Sequence, residues 1–544
     1  MDTHRTQLLH LPMDPSSTLR PSTVLAVEWR RRGNASMTTA AAPGLRPRLF
    51  LILPGLASSL CHHHHLCSRS LFLLCIFLVL ASASSGSGSG SGAGKVVTSL
   101  PGFDGPLPFH LETGYVEVDE RNGAELFYYF VESESGGGSD KDAPFLFWLT
   151  GGDRCSVFDG LAFEIGPIRF VIEPYNGTLP RLQYNPNSWS KVSHILFVDS
   201  PVGAGFSYSR QPNGYDVGDI SSAQHLHDFI VKWFNDHPKY RENPFYIGGD
   251  SYGGKIAPFL THMVAEGIEA GRRTLPNLKG YLVGNPRTGD IIDFSSKVPY
   301  AHGFGLISGQ LYETILGHCQ GEDYINPSNV LCAQALDTFY DLISEVQQAQ
   351  ILLDTCDFAS PVPNINSRMH GADGRKILRE EIQAGKLNQP PARPPIDCIS
   401  YGYYLSYFWA NDRRTREALG IKKGTVDEWV RCHDGDLPYA MDLDSSIKYH
   451  HNLTSRGYRA LVYSGDHDLL VPHLGTQAWI RSLNFSIVED WRAWHLDGQS
   501  AGFTISYSNN MTYATVKGGG HTAPEYEPER CFALFSRWIL NRAL

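Results

Sequence analysis

The sequence predicts a fold of the α/β class with a mostly parallel central sheet, and three observations support this. Six short apolar runs are rich in β-branched or aromatic residues and are bounded by Gly, Asp, Ser or Pro, as expected for buried parallel strands. Helical patterns lie between several of these runs. The third run enters a glycine-flanked turn that continues as a helical pattern. The six predicted strands are Phe145–Leu149, Ile195–Val198, Phe245–Ile247, Tyr281–Val283, Leu461–Tyr463 and Tyr513–Val516.

Two stretches carry apolar residues at helical spacing. They span 223–234, just before the third predicted strand, and 531–539, at the C-terminus. Such a stripe is typical of a helix that packs one face on a core. The strand signals fade over about 290–428, a stretch that also contains a Pro-rich segment. We interpret 290–428 as a cap region inserted into one domain that spans 95–544.

The length, composition and net charge of the chain exclude some classes of protein. With 544 residues and 42% hydrophobic content, the chain can bury a sizeable core, which excludes disorder for most of it. The formal net charge is −10 and the body of the chain has no long basic run, so no nucleic-acid partner is expected. No C-x-x-C pair occurs after the N-terminal segment, and neither a metal site nor a cofactor is predicted.

The N-terminal segment differs in composition from the rest of the chain. An apolar run of h-region length, Leu71–Ala81, is followed by the small-x-small sequence Ala81-Ser82-Ala83. This pattern predicts an extension plus secretory signal peptide over 1–83, with an uncleaved signal anchor as the alternative. Residues 84–94 form a Gly/Ser linker. We therefore expect a secretory-pathway protein of the vacuole or cell exterior, with no stable membrane insertion after cleavage.

A secretory signal peptide would direct the chain to a compartment in which disulfides form and sequons can be glycosylated. Seven cysteines follow the N-terminal segment, and in an oxidising compartment this odd number predicts three disulfides and one free thiol. Four N-x-S/T sequons that follow the N-terminal segment are candidate glycosylation sites. They begin at Asn176, Asn452, Asn484 and Asn510.

The glycine-flanked turn carries the candidate nucleophile. Gly249-Asp250-Ser251-Tyr252-Gly253 matches the G-x-S-x-G nucleophile elbow, in which a serine is exposed on a strained turn between strand and helix. The two glycines allow the strand and the helix to approach closely. The elbow, in its predicted strand and helix context, indicates an α/β-hydrolase fold with Ser251 as nucleophile.

A base and an orienting acid are expected later in the chain, in the order Ser, Asp or Glu, His. Gly465-Asp-His-Asp468 follows the fifth predicted strand, and Lys517-Gly-Gly-Gly-His521 follows the sixth. Both loops lie at the carboxyl edge of the sheet, where pockets form. We expect His521 to take the proton of Ser251 and Asp468 to orient the imidazole. The competing candidates are Asp466, interpreted as a turn-capping carboxylate, and His467, His473 and His495, which lack the glycine loop.

Beyond these motifs, the chain resembles the serine carboxypeptidase family, peptidase family S10, and in particular its plant serine carboxypeptidase-like acyltransferase branch. The resemblance covers about 95–544. It is carried by Phe147-Trp-Leu-Thr-Gly-Gly152 with Cys155-Ser156, Gly160-Leu-Ala-Phe-Glu-Ile-Gly-Pro167, Val198-Asp-Ser-Pro-Val-Gly-Ala-Gly-Phe-Ser-Tyr208, the elbow, Gly284-Asn-Pro286, Gly465-Asp-His-Asp468 and Gly518-Gly-Gly-His-Thr-Ala-Pro-Glu525.

The resemblance implies roles for particular residues. It implies the triad of Ser251, His521 and Asp468, with an oxyanion hole formed by the backbone N–H groups of Gly152 and Tyr252. It also implies a disulfide scheme that leaves Cys531 free. That scheme joins Cys155 to Cys432, Cys319 to Cys332 and Cys356 to Cys398.

Two substitutions bear on the substrate. Carboxypeptidases of the family carry Asn before the double glycine and Glu before the nucleophile, and these groups hold the terminal carboxylate of a peptide. The present chain has Thr150 and Asp250 there, next to Gly151, and it retains the second acidic residue, Glu164. A lost charge-assisted hydrogen bond costs about 1.5–3 kcal/mol, so peptide binding should weaken.

By the same resemblance, the substrates are a 1-O-β-glucose ester as acyl donor and a small-molecule acceptor. A carboxypeptidase acting on a peptide C-terminus is the first alternative, and an inactive binding protein with a hydrolase fold is the second. The family's Gly-Gly-Pro-Gly-Cys is replaced here by Gly151-Gly-Asp-Arg-Cys155. We expect a rebuilt loop in which Arg154 either binds an acidic acceptor or faces solvent.

Overall fold

The computed structural model describes residues 94–135, 141–356, 393–433 and 437–544. The predicted signal peptide over 1–83, and all but the last residue of the linker over 84–94, lie outside the described residues. Contacts group Gly88–Leu544 as one compact unit.

One large sheet of twelve strands forms the centre of the described structure. All six predicted strands are present and lie side by side as its parallel middle, where the second predicted strand is followed in turn by the first, third, fourth, fifth and sixth. Antiparallel strands extend it at both edges. The strands are β1 (Lys95–Val97), β2 (Leu111–Asp119), β3 (Ala124–Val131), β4 (Phe145–Leu149), β5 (Ile168–Phe170), β6 (Leu182–Tyr184), β7 (His194–Val198), β8 (Tyr208–Ser209), β9 (Val217–Gly218), β10 (Phe245–Asp250), β11 (Leu278–Gly284), β12 (Tyr439–Ala440), β13 (Arg459–Gly465), β14 (Ile487–Leu496), β15 (Gln499–Tyr507) and β16 (Met511–Val516).

Helices cover both faces of this sheet, because its middle strands are apolar on both sides. In β4, Phe145 and Phe147 face one core while Leu146 and Trp148 face the other. Both helices predicted from apolar spacing are confirmed, as α1 and α12. The helices are α1 (Asp219–Asp236), α2 (Gly253–Glu269), α3 (Ile292–Ser295), α4 (Lys297–Gly303), α5 (Gly309–His318), α6 (Val330–Ser344), α7 (Tyr401–Asn411), α8 (Arg413–Leu419), α9 (Ile447–Ser455), α10 (His473–Ser482), α11 (Ala523–Tyr526) and α12 (Pro528–Ile539).

The described part of 290–428 contains helices α3 to α8 and no strand. Part of this region has an apolar cluster of its own, to which Val298, Ile315 and Phe339 contribute. The loss of strand signals in the sequence therefore corresponds to a helical segment between β11 and β13. Its assignment as a cap region inserted into the domain remains a prediction.

Three disulfides stabilise the described structure, and Cys531 is a buried free thiol. Cys155 pairs with Cys432, which ties the segment after the double glycine to a position 277 residues later in the chain. The other two pairs, Cys319 with Cys332 and Cys356 with Cys398, also match the scheme that the resemblance implied. Disulfides of this kind belong to proteins of the secretory pathway. None of the described helices is long and apolar enough to cross a membrane.

Candidate active site

The turn between β10 and α2 holds Ser251 in a conformation that non-glycine residues rarely adopt. Its φ is +50°, and the turn is stabilised by a 2.9 Å hydrogen bond from Ser251 N–H to the Gly284 carbonyl. A Cβ atom at Gly253 would lie 2.6 Å from the Leu149 carbonyl oxygen, closer than real contacts allow. Glycine is needed there because strand β4 and helix α2 approach each other closely, as the elbow motif predicts.

Ser251, His521 and Asp468 form a continuous chain of hydrogen bonds. His521 Nε2 lies 2.7 Å from Ser251 Oγ, and His521 Nδ1 lies 2.9 Å from Asp468 Oδ2. Because an ionised carboxylate only accepts, Nδ1 carries the proton and Nε2 is free to accept one from the serine hydroxyl. Burial lowers the pKa of His521, but the charge and hydrogen bond of Asp468 outweigh burial and raise it above its ordinary value.

Asp468 is held in place from several sides. It is fully buried, and its Oδ1 accepts hydrogen bonds from the backbone N–H groups of Leu470 (2.7 Å) and Val471 (3.1 Å). The competing Asp466 has a different role, because its Oδ1 accepts from the Gly518 N–H and contacts His467 Nδ1. The second aspartate of the motif is thus the one that the structure brings to the imidazole.

Two other histidines that competed for the role of catalytic base do not belong to the hydrogen-bonded chain of the triad. His473 begins helix α10, and its ring lies 5.7 Å from the Tyr300 ring. His495 lies in the edge strand β14, where its carbonyl accepts from Arg537. Neither side chain hydrogen-bonds Ser251 or Asp468 within the described structure, so the glycine-loop criterion selects the histidine that does.

Asn285 is a site residue to which the sequence reasoning assigned no role, although Gly284-Asn-Pro286 is one of the motifs that carry the resemblance. Its amide Nδ2 donates to Asp468 Oδ2 across 2.8 Å, and its Oδ1 accepts from the Gly465 N–H across 3.1 Å. It is buried and has a φ of +41°. A signal was present, because Asn285 follows the fourth parallel strand at the same sheet edge as the triad loops. It joins the loop of Asp468 to the loop after β11.

The backbone around the double glycine faces the nucleophile. A Cβ atom at Gly151 would lie 2.8 Å from Ser251 Cβ, so only glycine permits this close approach. Gly152 has a φ of +77°. The hydrogen bonds among the described residues leave the N–H groups of Gly152 and Tyr252 unused. These are the two donors that the resemblance implied for an oxyanion.

A cavity of about 320 Å³ opens at Ser251 and His521. Its volume is in the range of pockets that take a small organic molecule. Besides those two side chains, its wall includes Thr150, Gly151, Gly152 and Glu164 from the predicted site. Gln347, Ser400 and Tyr403, from the predicted cap region, also line the cavity.

Thr150 and Glu164 form a buried pair in the cavity wall. Thr150 Oγ1 donates to Glu164 Oε1 across 2.9 Å, and the Trp148 indole donates to Glu164 Oε2 across 3.1 Å. Glu164 is 4% exposed. Burial raises its pKa well above the usual range, and the carboxyl groups of Asp250 and Asp159 raise it further. Both oxygens of Glu164 therefore already have protein partners.

The side chain of Asp250, which the resemblance implies as a substrate-binding group, is buried beside the nucleophile, and its role in substrate binding remains a prediction. Its side chain is 1% exposed and is absent from the described lining of the cavity. No described side chain donates a hydrogen bond to either of its carboxyl oxygens. Burial raises the pKa of Asp250 to about 7. The charge of His521 lowers this pKa, and the charge of Asp159 raises it. The short aspartate side chain thus stays among buried groups next to the nucleophile.

Arg154 adopts neither of the positions expected from the sequence. It does not line the described cavity, and its side chain is only 19% exposed. Instead, Nη1 donates to the Leu437 carbonyl across 2.8 Å, and the guanidinium lies 3.4 Å from the Asp153 carboxylate. Neither residue has a positive φ, so the loss of Pro-Gly imposes no left-handed strain there.

The cavity wall also carries a cluster of polar residues that the sequence reasoning missed. Arg431 pairs with Asp159 across 2.8 Å and lies 4.1 Å from the centre of the Tyr403 ring. The Tyr403 hydroxyl is within 2.8 Å of both Glu525 oxygens, and Thr522 donates to Glu525 as well. Of these residues, the sequence indicated only Thr522 and Glu525 as site residues, because they belong to the same motif as His521. The cluster gives the cavity both donors and acceptors.

All four sequon asparagines lie on the exposed surface of the described structure: Asn176, Asn452, Asn484 and Asn510. Asn176 accepts from both the N–H and the hydroxyl of Thr178. Asn452 lies in α9 and accepts from Arg456. Exposure is compatible with a glycan at each position, and their use remains a prediction.

The parallel sheet, the strained serine turn and the later acid and histidine loops define the protein as an α/β-hydrolase of the serine type. A model of the serine carboxypeptidase family matches residues 101–541, and the chain belongs to that family. The membership supports an enzyme of the serine carboxypeptidase type, acting on small-molecule or peptide substrates.

Curated relatives and a solved structure agree with this assignment. The chain is 44% identical over 449 residues to serine carboxypeptidase-like 19 of Arabidopsis thaliana, an alignment that covers 82% of this chain and 94% of the relative. It is 42% identical over 451 residues to serine carboxypeptidase-like 7 of the same plant, covering 83% and 94%. Its fold resembles that of the prohormone-processing carboxypeptidase Kex1 of Saccharomyces cerevisiae, with a TM-score of 0.59 at 19% identity over 80% of this chain and 91% of that one.

Proposed function

We propose that the protein is a serine carboxypeptidase-like acyltransferase that takes an acyl group from a 1-O-β-glucose ester and passes it to an acceptor. The observation that carries the proposal is the position of Asp250. In place of a longer glutamate that would reach a peptide carboxylate, this chain has a buried aspartate that is not part of the described cavity wall.

The neighbouring Thr150 strengthens this argument. An asparagine amide at that position offers two donors, whereas Thr150 has one hydroxyl, and that hydroxyl is bonded to Glu164. A terminal carboxylate would therefore meet two weakened partners beside Ser251. Each lost charge-assisted hydrogen bond costs about 1.5–3 kcal/mol, or roughly ten- to a hundred-fold in affinity. An ester donor needs no such carboxylate site.

The proposed reaction has two halves. Ser251 Oγ attacks the ester carbonyl while His521 Nε2 takes the hydroxyl proton, and the Asp468 carboxylate stabilises the resulting imidazolium. The N–H groups of Gly152 and Tyr252 donate to the oxyanion of the tetrahedral intermediate. When the intermediate collapses, glucose leaves with the proton from His521 and the acyl group stays on Ser251.

The second half reverses these roles. An acceptor hydroxyl or amine loses its proton to His521 Nε2 and attacks the acyl-enzyme. The intermediate then expels Ser251 Oγ, which recovers the proton, and the acylated product leaves. Water in place of the acceptor would give hydrolysis, so the acceptor must occupy the cavity ahead of water. The elements that would exclude water include Tyr403 and Gln347 of the predicted cap region.

A carboxypeptidase is the second candidate, and Glu164 is the observation that favours it. This carboxyl group remains in the cavity wall with a raised pKa, so its protonated form could donate to a carboxylate at acidic pH. An inactive binding protein is disfavoured, because the chain of hydrogen bonds from Ser251 to Asp468 is complete. Either candidate enzyme would act in the vacuole or outside the cell.

A paired assay on the purified protein tests the proposal. One reaction contains a blocked dipeptide, the other a hydroxycinnamoyl glucose ester with candidate acceptors, and Ser251→Ala is the control for both. We expect ester cleavage or acyl transfer without dipeptide hydrolysis. Efficient release of the C-terminal amino acid from the dipeptide would contradict the acyltransferase and restore the carboxypeptidase.

A further inference from the structure

A fully buried carboxylate, Asp219, lies at the centre of a network behind the nucleophile turn. It is the first residue of α1 and is 0% exposed. Its Oδ1 accepts from the Tyr252 hydroxyl across 2.6 Å and from the Tyr439 hydroxyl across 2.9 Å. Its Oδ2 accepts from Lys255 Nζ across 2.9 Å and from the Leu443 N–H across 3.0 Å. Four donors thus converge on one carboxylate.

The charge of this carboxylate is compensated inside the protein. Lys255 lies in the first turn of α2 and its side chain is only 5% exposed, so the ion pair with Asp219 is buried. A buried pair contributes to stability only when its geometry is good and its other polar atoms are bonded. Here the two atoms lie 2.9 Å apart and both oxygens of Asp219 have further donors, which holds α1 and the start of α2 in place relative to each other. Tyr252, which precedes α2, is fixed by the same carboxylate.

The segment 437–443 connects this network to the double-glycine loop. Tyr439 and Leu443 bind Asp219, and β12 pairs with β9 immediately before Asp219. At the other end, the Leu437 carbonyl accepts from Arg154, two residues after Gly152. Hydrogen bonds at both ends of segment 437–443, together with its backbone, therefore link the turn of Tyr252 to the turn of Gly152.

We propose that Asp219 and Arg154 are positioning residues that, through segment 437–443, hold the N–H groups of Gly152 and Tyr252 at the spacing an oxyanion requires. The inference rests on the proposed acyl-enzyme chemistry. It also explains the departure at Asp153-Arg154. Gly152 is a flexible residue in a loop without the rigid Pro-Gly turn, and the Arg154 to Leu437 bond supplies an external constraint.

The reason for expecting a catalytic effect is that oxyanion donors act only when they are preorganised. Removing one such donor costs about 10²–10³ in kcat, and misplacing it costs part of that. The ground-state ester contacts these N–H groups weakly, so misplacement should change kcat far more than KM. A residue with a purely structural role would instead lower thermal stability and leave kcat intact.

Tyr439→Phe and Arg154→Met test the network at its two ends. Tyr439→Phe removes one hydroxyl donor, whereas Arg154→Met removes the whole guanidinium with its contacts to Leu437 and Asp153, and both keep most of the side-chain volume. Asp219→Asn would leave Lys255 as a buried unpaired charge and risks unfolding, so it is not the primary variant. Tyr184→Phe and Arg537→Met are matched controls on the exposed surface, because the first removes a hydroxyl donor to a carboxylate and the second removes a guanidinium donor to a backbone carbonyl.

Two readouts separate this inference from the proposed function. The first is kcat and KM with the hydroxycinnamoyl glucose ester. The second is the inhibition constant of a trifluoromethyl ketone with the same hydroxycinnamyl chain, measured by its protection of Ser251 from an organophosphate probe. The ketone forms an oxyanion on Ser251 and needs no glucose ester.

We expect each test variant to lower kcat by about ten-fold, to weaken ketone inhibition by a similar factor, and to leave KM within about two-fold. Arg154→Lys, which keeps a donor, should recover part of the loss. Unchanged kcat and inhibition, or a change in KM alone, would overturn the inference. If the original chain binds the ketone but does not use the glucose ester, the proposed function fails while the ketone data still test the inference. If it reacts with neither ketone nor probe, both are overturned.

Discussion

Thr150 donates its hydroxyl to Glu164 Oε1 across 2.9 Å within the cavity that contains Ser251. This bond occupies the one donor that could have replaced the amide of a carboxypeptidase at that position. Together with the buried Asp250, it leaves these two positions with weakened partners for a peptide terminus. Under the proposed function, the substrate preference depends on these two positions, which can be changed without touching Ser251, His521 or Asp468.

The double variant Thr150→Asn, Asp250→Glu should gain carboxypeptidase activity. The amide restores two donors, and the longer side chain can extend from the buried position of Asp250 into the cavity. We expect kcat/KM for a blocked dipeptide to rise by at least about ten-fold, with most of the change in KM. The two single variants are the controls. No gain in the double variant would show that peptide recognition is limited elsewhere.

The fall of kcat/KM at low pH, the acid limb of the pH profile, should reflect protonation of His521. The base must be neutral to take the serine proton, and its pKa is raised above its ordinary value of 6.5. The rate should therefore fall as the pH decreases through a value above 6.5, which a plot of kcat/KM against pH will locate. Asp250→Asn removes a carboxyl group that raises this pKa, so it should move the limb to lower pH. A limb below 6.5 in the original chain would contradict the assignment.

Substitutions of Asp468 and of Asn285 should lower kcat by very different factors. Asp468→Asn should lower kcat on the order of 10⁴-fold, because the imidazole loses the partner that fixes its tautomer. Asn285→Ala should lower kcat by only about ten-fold, since Asp468 keeps its two backbone donors. Steady-state kinetics on the ester donor will measure both, and Asn285→Asp provides a charged comparison. Equal losses in the two variants would mean that Asn285 does more than orient Asp468.

The free energy of unfolding should depend on pH because the pKa of buried Asp250 is raised in the folded chain. Its pKa is about 7 in the folded chain and about 4 in the unfolded chain. Between these values the folded chain binds more protons than the unfolded chain, so this group makes the fold less stable as the pH rises. Asp250→Asn should therefore become progressively more stable than the original chain between about pH 4 and pH 7.

Thermal midpoints of both proteins across this pH range will check the trend. Asp104→Asn, at an exposed position, is the control and should show a constant difference from the original chain. A constant difference for Asp250→Asn as well would mean that this carboxyl group is ionised in the fold throughout the range.

Much of the fold can be predicted because its determinants are local. A buried parallel strand such as Phe145–Leu149 is apolar along its whole length, and no other segment type of that length requires this. Gly253 marks the elbow because strand and helix leave no space for a Cβ atom. His521 can be selected over His495 because it follows a parallel strand on a glycine loop, whereas His495 lies within a strand.

Contacts between distant segments are the part that the sequence does not show. Arg154 and Leu437 are 283 residues apart, and Asp219 and Tyr439 are 220 apart, with no shared motif. A substitution at Asp250 signals a changed substrate site, but only the structure shows that the shorter side chain stays out of the cavity wall. Side-chain reach depends on the packing of several strands at once.

The central claim is that Ser251 accepts an acyl group from a glucose ester. The most direct measurement is the mass of peptides from the protein after brief mixing with a hydroxycinnamoyl glucose ester and acid quenching. We expect the hydroxycinnamoyl mass on the peptide that contains Ser251, its absence in Ser251→Ala, and its loss when an acceptor is added before quenching. No adduct on that peptide, or an adduct that persists in Ser251→Ala, would contradict the claim.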